Sequence, residues 1–192
     1  MHHTLNTELP QLSSAYAPPV WKGLTISHNR DGCDEAFAIG PDGYVWSYLT
    51  DAENGRSGRL VCTGLEGLHF VLVTPTAGCR LLFAAGSSTL RMAIESSGSE
   101  PRWQKSQPVA FSGLQNAVAI AELHTLEFNG HALIGVLAVH QNHGGLDSYH
   151  FWVAKWTGEQ LQWRKTPVVL DGSDTLGNHF IMNRKSPEHT LQ

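Results

Sequence analysis

Residues 30–49 run Arg30-Asp31-Gly32-Cys33-Asp34-Glu35-Ala36-Phe37-Ala38-Ile39-Gly40-Pro41-Asp42-Gly43-Tyr44-Val45-Trp46-Ser47-Tyr48-Leu49. Two short strands are punctuated here by two turns. Asp31-Gly32 is a hairpin turn, because aspartate and glycine tolerate the positive φ that such turns require. Glu35–Ile39 follows as a strand. In Gly40-Pro41-Asp42-Gly43, Pro41 pre-sets φ and Gly43 is free to enter the left-handed region. Tyr44–Leu49, rich in aromatic and β-branched residues, is the next strand.

The unit repeats. A shift of 46 residues lays Asp31-Gly32-Cys33 over Ala77-Gly78-Cys79 and Phe37-Ala38-Ile39-Gly40 over Phe83-Ala84-Ala85-Gly86. The same shift sets Val71–Thr74 over Thr25–His28. A looser third copy starts at Ala117–Phe128, turns at Asn129-Gly130, and continues through His131–His140, Tyr149–Trp156 and Leu161–Leu170, with a turn at Gly158-Glu159. The first copy contains strands at Trp21–His28, Glu35–Ile39, Val45–Leu49 and Arg59–Thr63. The second contains His69–Thr74, Arg80–Ala85, Leu90–Glu95 and Trp103–Phe111. No segment holds a helical apolar period over three turns, and Leu114–Phe128 suits strands better.

Four antiparallel strands every 46 to 60 residues is the pattern of propeller blades. A four-stranded sheet cannot cover both its faces alone, but stacked neighbours can. The fold expected is therefore all-β: a propeller-like array of four-stranded blades, partial or completed by oligomerisation, with a two-sheet β-sandwich as the alternative. The expected division is an N-terminal arm (1–20), three blades (about 21–66, 67–113 and 114–170) and a C-terminal strand and tail (171–192). Three blades leave open edges. These would be closed by the terminal segments, by other chains, or by further blades of a longer protein.

The run Asp31-Gly32, Glu35, Phe37-Ala38, Gly40, Asp42-Gly43 and Trp46 resembles the repeat of tectonin-like and fucose-binding-lectin-like β-propellers. The likeness covers about 20 residues of the first copy. In the second, Phe83-Ala84-Ala85-Gly86 is kept and Leu90-Arg91-Met92 replaces the tryptophan strand. The resemblance implies sugar sites between adjacent blades, lined by aromatics with a cationic or polar partner.

Composition narrows the function classes. With 41% hydrophobic and 16% charged residues the chain is a folding one, not a disordered one. A net charge of −4 argues against a dedicated nucleic-acid binder. No apolar run approaches the roughly 20 residues that span a bilayer, and no charged-then-apolar signal pattern opens the chain. Three cysteines imply no disulfide framework. The expected setting is cytoplasmic, or secreted by a non-classical route.

The candidate binding residues are aromatic. Trp46 and Tyr48 alternate on one strand face, as do Trp152 and Trp156. An aromatic face suits a sugar, whose C–H groups are apolar on one side while its hydroxyls radiate at the rim. Arg91, Lys155 and His150 are the polar partners proposed for it. Trp103 and Trp163 belong to outer strands of successive copies. The competing reading of each tryptophan is blade-to-blade packing. His140, His143 and Asp147, with His150 nearby, form a candidate zinc set, and Asp51-x-x-Asn54-Gly55 a candidate calcium loop. Cys33 and Cys79 occupy equivalent turns and read as structural; Cys62 reads as a small core residue. Asp31, Asp34, Glu35, Asp51 and Glu53 read as solvated turn acids. No nucleophile elbow, phosphate loop or Cys-x-x-Cys is present.

The function expected is non-catalytic recognition of carbohydrate in aromatic-lined grooves between blades, with no cofactor. Trp46, Tyr48, Arg91, His150, Trp152 and Trp156 are the ligand-binding residues. A protein-interaction scaffold is the alternative, and a metal-dependent hydrolase around His140, His143 and Asp147 the third reading. Expected partners are carbohydrate or protein and further copies of the chain, with neither nucleic acid nor membrane.

Overall fold

A computed structural model of the chain describes residues 20–29, 33–49, 58–75, 79–96, 102–141 and 147–171. It is all-β, with three antiparallel sheets and no α-helix among these residues. Sheet 1 is the meander β1 (Lys22–His28), β2 (Asp34–Ile39), β3 (Tyr44–Leu49) and β4 (Arg59–Glu66). Sheet 2 is β5 (His69–Val73), β6 (Leu81–Ala85), β7 (Leu90–Ile94) and β8 (Gln107–Val109). A 3₁₀ turn at Ser112–Leu114 leads into sheet 3. This comprises β9 (Ala117–Phe128), β10 (His131–Gln141), β11 (Asp147–Trp156), β12 (Leu161–Trp163) and β13 (Val168–Asp171).

The local chemistry of the turns explains the meanders. Gly40–Gly43 closes with the Gly43 N–H donating to the Gly40 carbonyl at 3.0 Å, and Gly43 takes φ +81°. Asn129 and Gly130 both have positive φ, as a two-residue hairpin loop of matching twist requires. The Asp31-Gly32 turn lies outside the described residues.

The repeat survives in the pairing. Thr25 pairs with Phe37 in sheet 1, and Val71 with Phe83 in sheet 2, each related by the shift of 46. The next turn is one residue shorter in sheet 2. Trp46, which pairs with Ala38, is therefore matched by Arg91, which pairs with Ala84.

The sheets stack as three layers, not as a two-sheet sandwich. Strand β6 is buried on both faces, and its two sets of residues divide between two cores. Leu82 and Ala84 pack with Phe37, Ile39, Val45 and Leu65 of sheet 1. Leu81, Phe83 and Ala85 pack with Ile120, Leu123, Ile134, Val136 and Ala154 of sheet 3. Phe37 and Phe83 are both 0% exposed. Sheets 2 and 3 are also tied by hydrogen bonds from the Ile120 N–H to the Ser87 carbonyl (2.7 Å) and from the Thr125 hydroxyl to the Leu72 carbonyl (3.1 Å). The sheets do not close into a barrel or ring among the described residues.

The fourth strands of the second and third copies depart from expectation. Trp103–Phe111 contains only the short β8, with Trp103 in an isolated bridge to Glu95. Leu161–Leu170 is split, and β13 pairs with β11 two residues out of step with β12. Pro167 lies in the break, where a missing N–H cannot serve a ladder.

Candidate functional site

Alternation along β11 sets the site. Ser148, His150, Trp152, Ala154 and Trp156 share one face; Trp152 and Ala154 are buried, and Ala154 packs against sheet 2. Trp163 stands opposite Ala154 on the same face. Phe111, at the exit of sheet 2, stacks on Trp163 with ring centroids 3.7 Å apart and planes within 9°. It meets Trp152 edge-on at 5.6 Å and 72°. Gly113 lies beneath, and a Cβ there would overlap both the Phe111 and Trp152 rings. A glycine in the 3₁₀ turn is what lets this aromatic group close.

Two imidazoles border the aromatics. His140 Nε2 lies 3.1 Å from the Gly113 carbonyl, so it carries the proton and donates. The His140 ring stacks on His150 at 4.2 Å. The Ser148 hydroxyl lies 3.4 Å from the His140 carbonyl, to which it donates, and 3.2 Å from His150 Nε2. Burial, and secondly the neighbouring His140, lower the His150 pKa below the usual histidine value. The imidazole is thus neutral at pH 7.

Beside Phe111 opens a hollow of about 400 Å³. Its walls include Ser88, Thr89, Pro108, Phe111, Leu114 and Gln115, and among the described residues no charged one lines it. Flat aromatic surface, neutral hydroxyl and amide groups and a neutral imidazole therefore share one end of the sheet 2–sheet 3 junction. Phe111 and the hollow were not legible in the sequence. Phe111 belongs to a connection, and the strand pattern gave no sign that it would reach across to sheet 3.

Of the sequence-derived residues, His150, Trp152 and Trp156 come together at this junction, Trp156 packing against its core. Trp46 and Tyr48 do not join them; they occupy the outer face of sheet 1. The Trp46 indole N–H donates to the Asp42 carboxylate at 3.1 Å. Arg91 faces the sheet 1–sheet 2 junction and donates to the Ser106 hydroxyl at 3.1 Å. Lys155, opposite Leu133, sits on the face of β11 away from Trp152. His143 and the Asp51–Gly55 loop lie outside the described residues, and no group of three metal-ligating side chains occurs among those described.

Two readings are corrected. Cys62 is exposed on the outer face of sheet 1, opposite Trp46, because Thr63 and Leu65 take the inward positions of β4. Glu35 is not a solvated turn acid: it is 0% exposed. It shares its strand face with Phe37 and Ile39, a placement that strand alternation could have revealed. It pairs with Arg80 and Arg102, which in turn both pair with Glu95. Arg80 grips Glu95 with two bonds (3.0 and 2.7 Å) and also contacts Glu35. Its guanidinium lies 5.6 Å from the Phe37 centroid and 5.7 Å from that of Trp103. Burial alone would push the Glu95 carboxyl up, but the hydrogen bonds and charge of Arg80 hold it below the usual range. Burial likewise opposes the Arg80 charge, and the two carboxylates overcome it, raising its pKa. The quartet is neutral overall and enclosed, a clamp between sheets rather than a ligand site.

No protein-family model matches the chain, and no curated protein sequence matches it.

Proposed function

We propose that the chain is a non-catalytic binding module whose ligand is a neutral carbohydrate, held at the junction of sheets 2 and 3, with the three sheets acting as propeller-like blades. The observation that carries this reading is the Phe111–Trp152–Trp163 group beside an uncharged hollow and the neutral His150. Stacked indole and phenyl rings present rigid apolar surface to the C–H side of a pyranose. Neutral imidazole, hydroxyl and amide groups both donate and accept, as sugar hydroxyls do. A hollow whose described lining holds no lysine or arginine gives no advantage to sialic or uronic acids.

The test is calorimetric titration, guided by a glycan array, with neutral and acidic oligosaccharides in parallel. Neutral sugars should bind and their acidic counterparts should bind more weakly. Trp163→Ala should weaken binding by about fivefold, in line with roughly 1 kcal/mol for an aromatic contact, while the circular dichroism spectrum stays unchanged. Absence of binding to any neutral glycan at millimolar concentration overturns the proposal.

A further inference from the structure

The charges of sheet 1 are sorted by face. Among its described residues the only lysine and arginine, Lys22 and Arg59, stand opposite Ile39 and Leu49, on the face of Glu35 and Phe37. The outer face carries acids instead. They are Asp34, which pairs with His28 at 2.8 Å, Asp42, which holds the Trp46 indole, and Glu66, which stands opposite Tyr44.

Between these acids lies aromatic and aliphatic surface. Tyr44, Trp46 and Tyr48 form a column along β3, because alternate residues of a strand share a face. Ile26, Ala36, Tyr48 and Leu60 form a row across the sheet. Ile26 is 65% exposed, Leu60 49%, Tyr48 44% and Tyr44 38%. A Cβ at Gly40 would crowd the Trp46 indole, and one at Gly58 would overlap the Tyr48 ring, so both rings lie low against the backbone. The bond to Asp42 fixes the indole further. A contiguous exposed face of this kind marks an interaction surface.

We propose that the outer face of sheet 1 docks a basic protein segment, one that sets lysine or arginine side chains over the rings and carboxylates and apolar side chains against Ile26 and Leu60. Charge complementarity selects this occupant. A cation is attracted to the face of an aromatic ring, and the acids around the rings favour the same charge. A second copy of this face would bring acids against acids, and like charges brought together across an interface are costly. The inference is independent of any sugar site.

Fluorescence anisotropy of labelled peptides titrated with the full chain tests it. The probes are peptides of equal length in which leucine alternates with arginine, with serine or with glutamate. The arginine peptide should bind, and more weakly as salt is raised; the other two should not bind. Trp46→Leu keeps an apolar side chain but removes the ring, and should weaken binding about two- to fivefold, as for an exposed cation–π contact. Glu66→Gln should weaken binding and flatten its salt dependence. Glu159→Gln removes one charge from an exposed turn of sheet 3 and should change neither. Circular dichroism should be the same for all three variants. Failure of the arginine peptide to bind overturns the proposal. So does equal binding of the serine peptide, which would mean apolar contact alone, or an equal loss in Glu66→Gln and Glu159→Gln, which would mean attraction to overall charge. A dimer in light scattering that Leu60→Glu dissociates would also overturn it, by giving the face to a second copy.

Discussion

Glu35 shows how one side chain can tie two layers together. Its carboxylate is enclosed with Arg80, Glu95 and Arg102. Removing one charge from such a set leaves the others uncompensated. Glu35→Gln should therefore cost about 3 kcal/mol or more, read as a lower urea midpoint. Glu95 adds a pH dependence. Its folded pKa is depressed, so its contribution is fully present above the unfolded carboxyl value of roughly 4.3 and fades as pH falls through the lower folded value. Wild-type stability should drop over that acid range, and Glu95→Gln should flatten the drop. His150 acts in a different window. Its folded pKa is also lowered, so the unfolded chain takes up its proton first. Stability should fall as pH is lowered below roughly 6.5, and His150→Gln should lessen that fall in thermal melts between pH 7 and 5.5. The charge of Glu35 was visible in the sequence. Its burial was not, because an acid next to a turn is usually solvated and its partners lie 45 and more residues away.

At the level of elements, the inner strands, their turns and the first strand of each sheet were legible, and the closing strands of sheets 2 and 3 were not. Strands β2, β3, β6 and β10 are paired on both sides, so their apolar runs and flanking glycines state their limits. Asn129-Gly130 adopts the positive φ values that its residue types suggest. Gly130→Ala, at φ +71°, should cost about 1 kcal/mol by forcing a Cβ into the left-handed region, measured by denaturant melt. Strands β8, β12 and β13 each pair with a single neighbour, and their sequences hold Pro108 and Pro167 in or between them. Edge pairing tolerates prolines and breaks, so a local pattern cannot say where such a strand starts or stops.

At the scale of the whole molecule, β6 is the shared wall of both cores, and its neighbouring residues belong to different junctions. Leu82→Ala should loosen the sheet 1 junction, and Phe83→Ala the sheet 3 junction, the latter costing about 3–5 kcal/mol. Hydrogen exchange should separate them. The first variant should speed exchange chiefly in β1–β4 and the second chiefly in β9–β12. A uniform response in both would mean that the three layers open as one unit.

The sequence alone determined most of the strands, the main turns, the repeat of 46 residues and hence the all-β class, because periodicity and turn chemistry are local properties of the chain. It also marked Trp152 and Trp156 as companions, since they share one face of a strand. The tertiary structure decided which faces meet. It placed Trp46 and Tyr48 on an outer face, set Arg91 at another junction, brought Phe111 onto Trp163, and buried Glu35 among arginines. Those outcomes depend on how sheets stack, and stacking joins residues far apart in the chain through side-chain shape and the need to pair buried charge.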